Sequence, residues 1–85
     1  MKFITISAIW CPACLIMRSK VEDAKKNFKE YEYVEYDYDL DEEEVKKYNV
    51  TEILPVFIIE KDGVEVKRLI GEKSKEELIK FMEVI

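Results

Sequence analysis

The stretch "PVFIIE", residues 55–60, runs apolar with no polar alternation. A strand with one solvated face alternates apolar and polar positions, so an unbroken run points to a strand buried on both faces. Such a strand needs helices above and below its sheet, which leaves few architectures open to a short chain. Asp62-Gly63 follows at once and leads into "VEVKRLI". That dipeptide is a hairpin turn, so the last two strands run antiparallel. Pro55 cannot supply a ladder donor, and its place is the first residue of its strand.

The remaining elements follow from periodicity and caps. Residues 2–9 alternate Phe3, Thr5 and Ser7 against Ile4, Ile6 and Ala8 and read as a strand. Cys14, Met17, Val21, Ala24 and Phe28 then recur at spacings of three and four, one apolar face of a helix of about four turns. Pro12 fits the first helical position, placing Cys11 at the N-cap and Cys14 inside the first turn. Residues 33–38, "YVEYDY", read as a second strand. Asp41 with Glu44 is a capping-box variant opening a short helix through Tyr48, with Asn49 as a left-handed C-cap. Ser74 with Glu77 is a full capping box, and Leu78, Phe81, Met82 and Ile85 stripe a closing helix.

The order is β-α-β-α-β-β-α. The first two strands are joined through a helix and should lie parallel by a right-handed crossover. The expected fold is α/β: a four-stranded mixed sheet flanked by three helices, in a single domain covering residues 1–85.

An 85-residue chain with no repeat or linker buries only a modest core. Its net charge of −5 argues against nucleic acid or an anionic membrane as partner, since both need a basic surface. No segment approaches the roughly 18 apolar residues of a membrane span. The opening "MKFITISAIWC" runs into the cysteines without a small-residue cleavage site, so it reads as a strand rather than a signal peptide. The expected location is therefore cytoplasmic, where a structural disulfide is disfavoured. Nine of the nineteen acids lie between Glu30 and Glu44 with no base among them. That is the pattern of a solvated face, or of a surface that orients a partner.

Both cysteines of the chain stand in "IWCPAC", at the junction of the first strand and first helix. "WCPAC" resembles the C-x-x-C site of the thioredoxin–glutaredoxin superfamily. "ILPVFII" resembles its cis-proline segment, which faces the cysteines in that fold, and "DGVEVKRLIG" its terminal hairpin and following glycine. The resemblance spans nearly the whole chain in the right order and implies the thioredoxin fold. It further implies a reversible Cys11–Cys14 dithiol/disulfide as the redox centre, with no bound cofactor and no metal. Pro55 is implied to be cis, with Leu54 offering its backbone to an extended substrate segment. Trp10 and Pro12 are implied to lie beside the thiols at the contact surface, and Gly71 to let a partner approach closely.

The residues themselves support this chemistry. A thiolate, not a thiol, attacks a disulfide, and an ordinary cysteine needs help to become one. The chain has no histidine. What remains is the helix N-terminus, whose unpaired N–H groups and dipole favour negative charge at Cys11. Pro12 removes one donor and leaves the amides of Ala13 and Cys14 to point at the sulfur. Cys14, inside the turn, lacks such donors and is expected to be the more buried. Cys11 then attacks and Cys14 resolves. Two other uses of the pair stay open: a structural disulfide, which would close too small a loop to restrain the chain much, and half of a zinc or iron–sulfur site shared between two chains.

Within the superfamily the signals divide. The Cys-Pro-x-Cys pattern and the short chain resemble glutaredoxins, whereas Trp10, Ile53-Leu54-Pro55 and a lone Gly71 resemble thioredoxins. The resemblance favours a monomeric thiol–disulfide oxidoreductase that reduces protein disulfides and is recycled by a thioredoxin-reductase-like system or by glutathione. The alternatives are a glutathione-dependent, glutaredoxin-like reductase and a non-catalytic, redox-gated binding module. One departure stands out. Thioredoxins usually carry a buried aspartate six residues before the attacking cysteine, and here that position is Thr5. Glu35, on the neighbouring strand, is the carboxylate that could replace it as proton acceptor, with burial raising its proton affinity.

Overall fold

In the computed structural model, which describes residues 1–83, the chain forms strand β1 (Lys2–Ser7), helix α1 (Pro12–Ala24), strand β2 (Glu32–Asp37), helix α2 (Glu42–Lys47), strands β3 (Val56–Lys61) and β4 (Val64–Ile70), and helix α3 (Lys75–Met82). The strands lie side by side in the order β2-β1-β3-β4. β1 runs parallel to β2 and antiparallel to β3, and β3 and β4 form the expected hairpin. Asp62 and Gly63 both take positive φ at its turn, as a two-residue hairpin loop requires.

Cover on both faces of β3 is met by two cores. On one face Phe3, Phe57 and Ile59 pack against Met17, Val21 and Ala24 of α1 and Leu78, Phe81 and Met82 of α3. Phe3 sits at the centre of an aromatic cluster, its ring centroid 5.5–6.1 Å from those of Tyr31, Tyr33, Phe57 and Phe81. On the other face Ile4, Ile6, Val56 and Ile58 pack against Val45 and Tyr48, and this core reaches Cys11 and Cys14 at its end. The buried Glu60 is satisfied by the Tyr48 hydroxyl, which donates to its Oε2 at 2.6 Å.

Several boundaries differ from the sequence-based expectation. The first strand ends at Ser7, because Ala8–Trp10 turn to bring the Cys11 N–H onto the Ala8 carbonyl at 3.2 Å. α1 ends at Ala24 and tightens into a 3-10 turn over Lys25–Asn27, so Phe28 leaves the helix and packs on the aromatic cluster from outside. Asp41 precedes α2 but does not cap it. Its Oδ2 accepts instead from the Asp37 N–H at 2.7 Å, on the chain leaving β2. Ser74 does cap α3, accepting from the Glu77 N–H at 3.1 Å, and Asn49 is left-handed with φ 54°. Ile85, the last residue of the predicted stripe, lies outside the described residues.

Candidate active site

β1 delivers the chain to the N-terminus of α1, and this junction positions both thiols. Cys11 is the N-cap, with extended backbone (φ −95°, ψ 110°), and its Sγ accepts the Cys14 N–H at 3.2 Å. Pro12 follows at the first helical position. Of the two amides expected at the sulfur, only that of Cys14 reaches it. Both cysteines are free thiols, and both are only 6% exposed. Cys14 is thus not the more buried of the two, because Leu54 and Ala8 close over Cys11 as well. The difference between them lies in hydrogen bonding and charge. Burial, and then the hydrogen bond shared with Cys11, push the Cys14 thiol up to about 12, while a hydrogen bond with the Ala8 backbone and, more weakly, Arg18 one turn on pull the other way.

The segment before β3 packs against this junction. The Leu54–Pro55 bond is cis, and the Leu54 carbonyl lies 3.9 Å from Cys11 Sγ, at the limit for a weak thiol donor. Gly71 is held beside it, its N–H donating to the Pro55 carbonyl at 2.8 Å. Trp10 stands exposed at the rim, with Nε1 donating to Asp39 Oδ2 at 2.6 Å and its ring edge-on to Tyr38. Ile9, Leu15 and Ile53, neighbours of the site in sequence, are exposed as well. The thiols therefore sit low in a surface whose apolar side chains face outward.

A family model described as Thioredoxin matches residues 2–84. The chain belongs to the thioredoxin family. It is 34% identical over 73 residues to Thioredoxin H2 of Arabidopsis thaliana, covering 86% of this chain and 54% of that protein. It is 32% identical over 79 residues to Thioredoxin of Chlamydia trachomatis, covering 93% of this chain and 76% of that one. Among solved structures, Fasciola hepatica thioredoxin superposes with a TM-score of 0.84 at 34% identity, covering 96% of this chain and 79% of that one. The chain thus spans about half the length of its plant relative.

This thioredoxin-family chain departs from the usual pattern beside Cys14. A cleft of about 460 Å³ between α1 and β2 is lined by Cys14, Met17 and Arg18 and by Thr5, Ser7 and Glu35. Thr5 and Glu35 are paired residues of the parallel strands, so their side chains share one face. Glu35 is not buried, as expected from the sequence, but has a side chain 57% exposed. β2 is an edge strand, and the open cleft lies between this face of it and α1. Glu35 Oε2 is instead engaged by the Ser7 hydroxyl at 3.3 Å and the Arg18 guanidinium at 3.6 Å. Among the described residues, no group of three or more His, Cys, Asp or Glu side chains is placed to hold a metal ion. No helix among them is long and apolar enough to cross a membrane.

Asp39 and Ser7 escaped the sequence reading, as did the pairing of Arg18, the nearest cation to Cys14 in sequence, with Glu35. Asp39 had a local signal, since Asp37-x-Asp39 favours the turn in which Asp37 Oδ1 accepts two backbone N–H groups. The contacts of Ser7 and Arg18 link residues far apart in sequence, and periodicity carries no trace of them. Gly71 invites a direct test. Its φ of +88° is strained for any L-residue, while a Cβ there would meet only Ile53 Cγ2 at 3.8 Å. Gly71→Ala is expected to cost about 1–2 kcal/mol in backbone strain rather than through a clash. Thermal unfolding checks this, with a midpoint lower by about 4–8 °C per kcal/mol in a domain of this size. An unchanged midpoint would mean that the strain is relieved locally.

Proposed function

We propose that the chain is a cytoplasmic thiol–disulfide oxidoreductase that reduces protein disulfides through Cys11 and Cys14. One observation carries this reading: Cys11 Sγ lies at a helix N-terminus, accepts the Cys14 N–H, and sits beside the Leu54 carbonyl. The amide and the helix dipole favour the thiolate at Cys11, which attacks a substrate disulfide. A mixed disulfide forms between Cys11 and one substrate sulfur, and the other leaves as a thiolate. Cys14 then attacks Cys11, closing the Cys11–Cys14 disulfide and releasing the second substrate thiol. Two electrons pass from the dithiol to the substrate, so no bound cofactor is needed. Leu54 and Gly71 flank the path of an extended substrate segment, and Trp10 and Ile53 offer it apolar contact.

A thioredoxin-reductase-like system returns the dithiol, and the lone Gly71 favours this over glutathione. Insulin reduction is the test. Turnover is expected with NADPH and thioredoxin reductase, and weaker turnover with glutathione and its reductase. Faster turnover with glutathione would make the chain glutaredoxin-like. No turnover with either, alongside retained binding of disulfide peptides, would reduce it to a redox-gated binding module.

A further inference from the structure

The chemistry proposed above requires Cys14 to lose its proton as it attacks, and its side-chain hydrogen-bond partner, Cys11, is by then held in the mixed disulfide. The cleft beside it is large enough for many waters, each taking about 30 Å³. Besides Cys14, the titratable and charged groups facing that cleft are Arg18 and Glu22 from α1, Lys25 from the 3-10 turn that follows it, and Tyr33 and Glu35 from β2. β1 adds Thr5 and Ser7, and Pro55 and Phe57 come from the start of β3 and the residue before it, none of them ionised near neutral pH. Glu22 and Lys25 pair with each other at 2.7 Å, and Lys25 Nζ lies over the Tyr33 ring. Arg18 and Glu35 remain. Arg18 is four residues after Cys14 and so lies on the same helix face, one turn on. Its guanidinium and the Ser7 hydroxyl both engage Glu35 Oε2, while Oε1 has no protein partner among the described residues.

We propose that Arg18 is a positioning residue for the resolving step, holding Glu35 across the cleft so that this carboxylate takes the Cys14 proton through water. The proposal rests on the oxidoreductase reading above. As the Cys14–Cys11 bond forms and the Cys11–substrate bond breaks, the electron pair leaves on the substrate sulfur. The Cys14 proton passes to Glu35, which is exposed and hands it to solvent, and the substrate thiolate takes a proton from solvent in turn. Arg18 serves twice, since its charge also favours the Cys14 thiolate at the moment of attack.

Stopped-flow measurement of mixed-disulfide formation and release separates the two steps. Arg18→Ala is expected to leave formation unchanged and to slow release about tenfold near pH 7, a fraction of what a general base contributes. The deficit should shrink as pH rises, because hydroxide then removes the Cys14 proton without help. Arg18→Lys should recover most of the rate. Glu35→Gln should slow release at least as much, and the double variant no further. The Arg18–Glu35 pair is exposed and worth little to stability, so these variants fold. Release at the wild-type rate in Arg18→Ala, a deficit independent of pH, or no recovery in Arg18→Lys would each overturn the proposal alone. A wild-type chain that forms no mixed disulfide would overturn the oxidoreductase reading and this proposal with it.

Discussion

Cys14→Ser is expected to accumulate a stable mixed disulfide with substrate through Cys11, because no sulfur remains to displace the bound partner. Cys11→Ser is expected to form none and to be inactive. The asymmetry follows from the geometry. Cys11 Sγ accepts an amide N–H at a helix N-terminus, whereas the Cys14 thiol is pushed up to about 12 and stays protonated at neutral pH. Iodoacetamide near pH 7 should accordingly alkylate Cys11 first in the reduced chain. Both residues are 6% exposed. Mass mapping after a short exposure reads the order. Labelling at Cys14 first, or a trapped adduct on Cys14 in the Cys11→Ser chain, would reverse the assignment.

Phe3→Ala is expected to be the most damaging change outside the thiols. Phe3 is fully buried and touches four other aromatic rings drawn from β2, β3, α3 and the segment before β2. Truncating such a side chain costs about 3–5 kcal/mol. A domain of this size has a total stability of only about 5–10 kcal/mol. The variant should therefore unfold at a much lower urea concentration, with a large unfolded fraction at 37 °C. Val64→Ala, at an exposed position of β4, is the control and should change little. A loss below about 1 kcal/mol for Phe3→Ala would mean that the cluster repacks around the gap.

The features that sequence made legible are those set by local rules. The unbroken run ending at Glu60 demanded helices on both faces, and the structure places α1 and α3 on one side and α2 on the other. Asp62-Gly63, Asn49 and the Ser74 cap each announced a backbone conformation that the residue type prefers, and each adopts it. The Asp41 cap failed for a physical reason: two sets of amides compete for one carboxylate, and the Asp37 N–H wins. At the site, the thiol pair at a helix start was legible because Pro12 and the apolar period located the helix. The equal burial of the two cysteine residues was not, since it depends on Leu54, which returns forty-three residues later. The exposure of Glu35 was equally hidden. It follows from the place of β2 at the sheet edge, which alternation within one strand does not encode.

The hydrogen bond from the Cys14 N–H to Cys11 Sγ has a consequence for how this site responds to mutation. The donor is main chain, so it survives in Cys14→Ser and Cys14→Ala and in every other ordinary replacement there. A side-chain scan of position 14 therefore reports only the resolving thiol and never the support that the same residue gives to its neighbour's sulfur. Proline is the exception, since it removes the N–H while remaining tolerable in the first turn of a helix. Comparing Cys14→Pro with Cys14→Ala would report that donor, together with its second bond at 3.2 Å to the Cys11 carbonyl. For all other alleles the contribution is genetically silent, inherited by whatever residue occupies position 14.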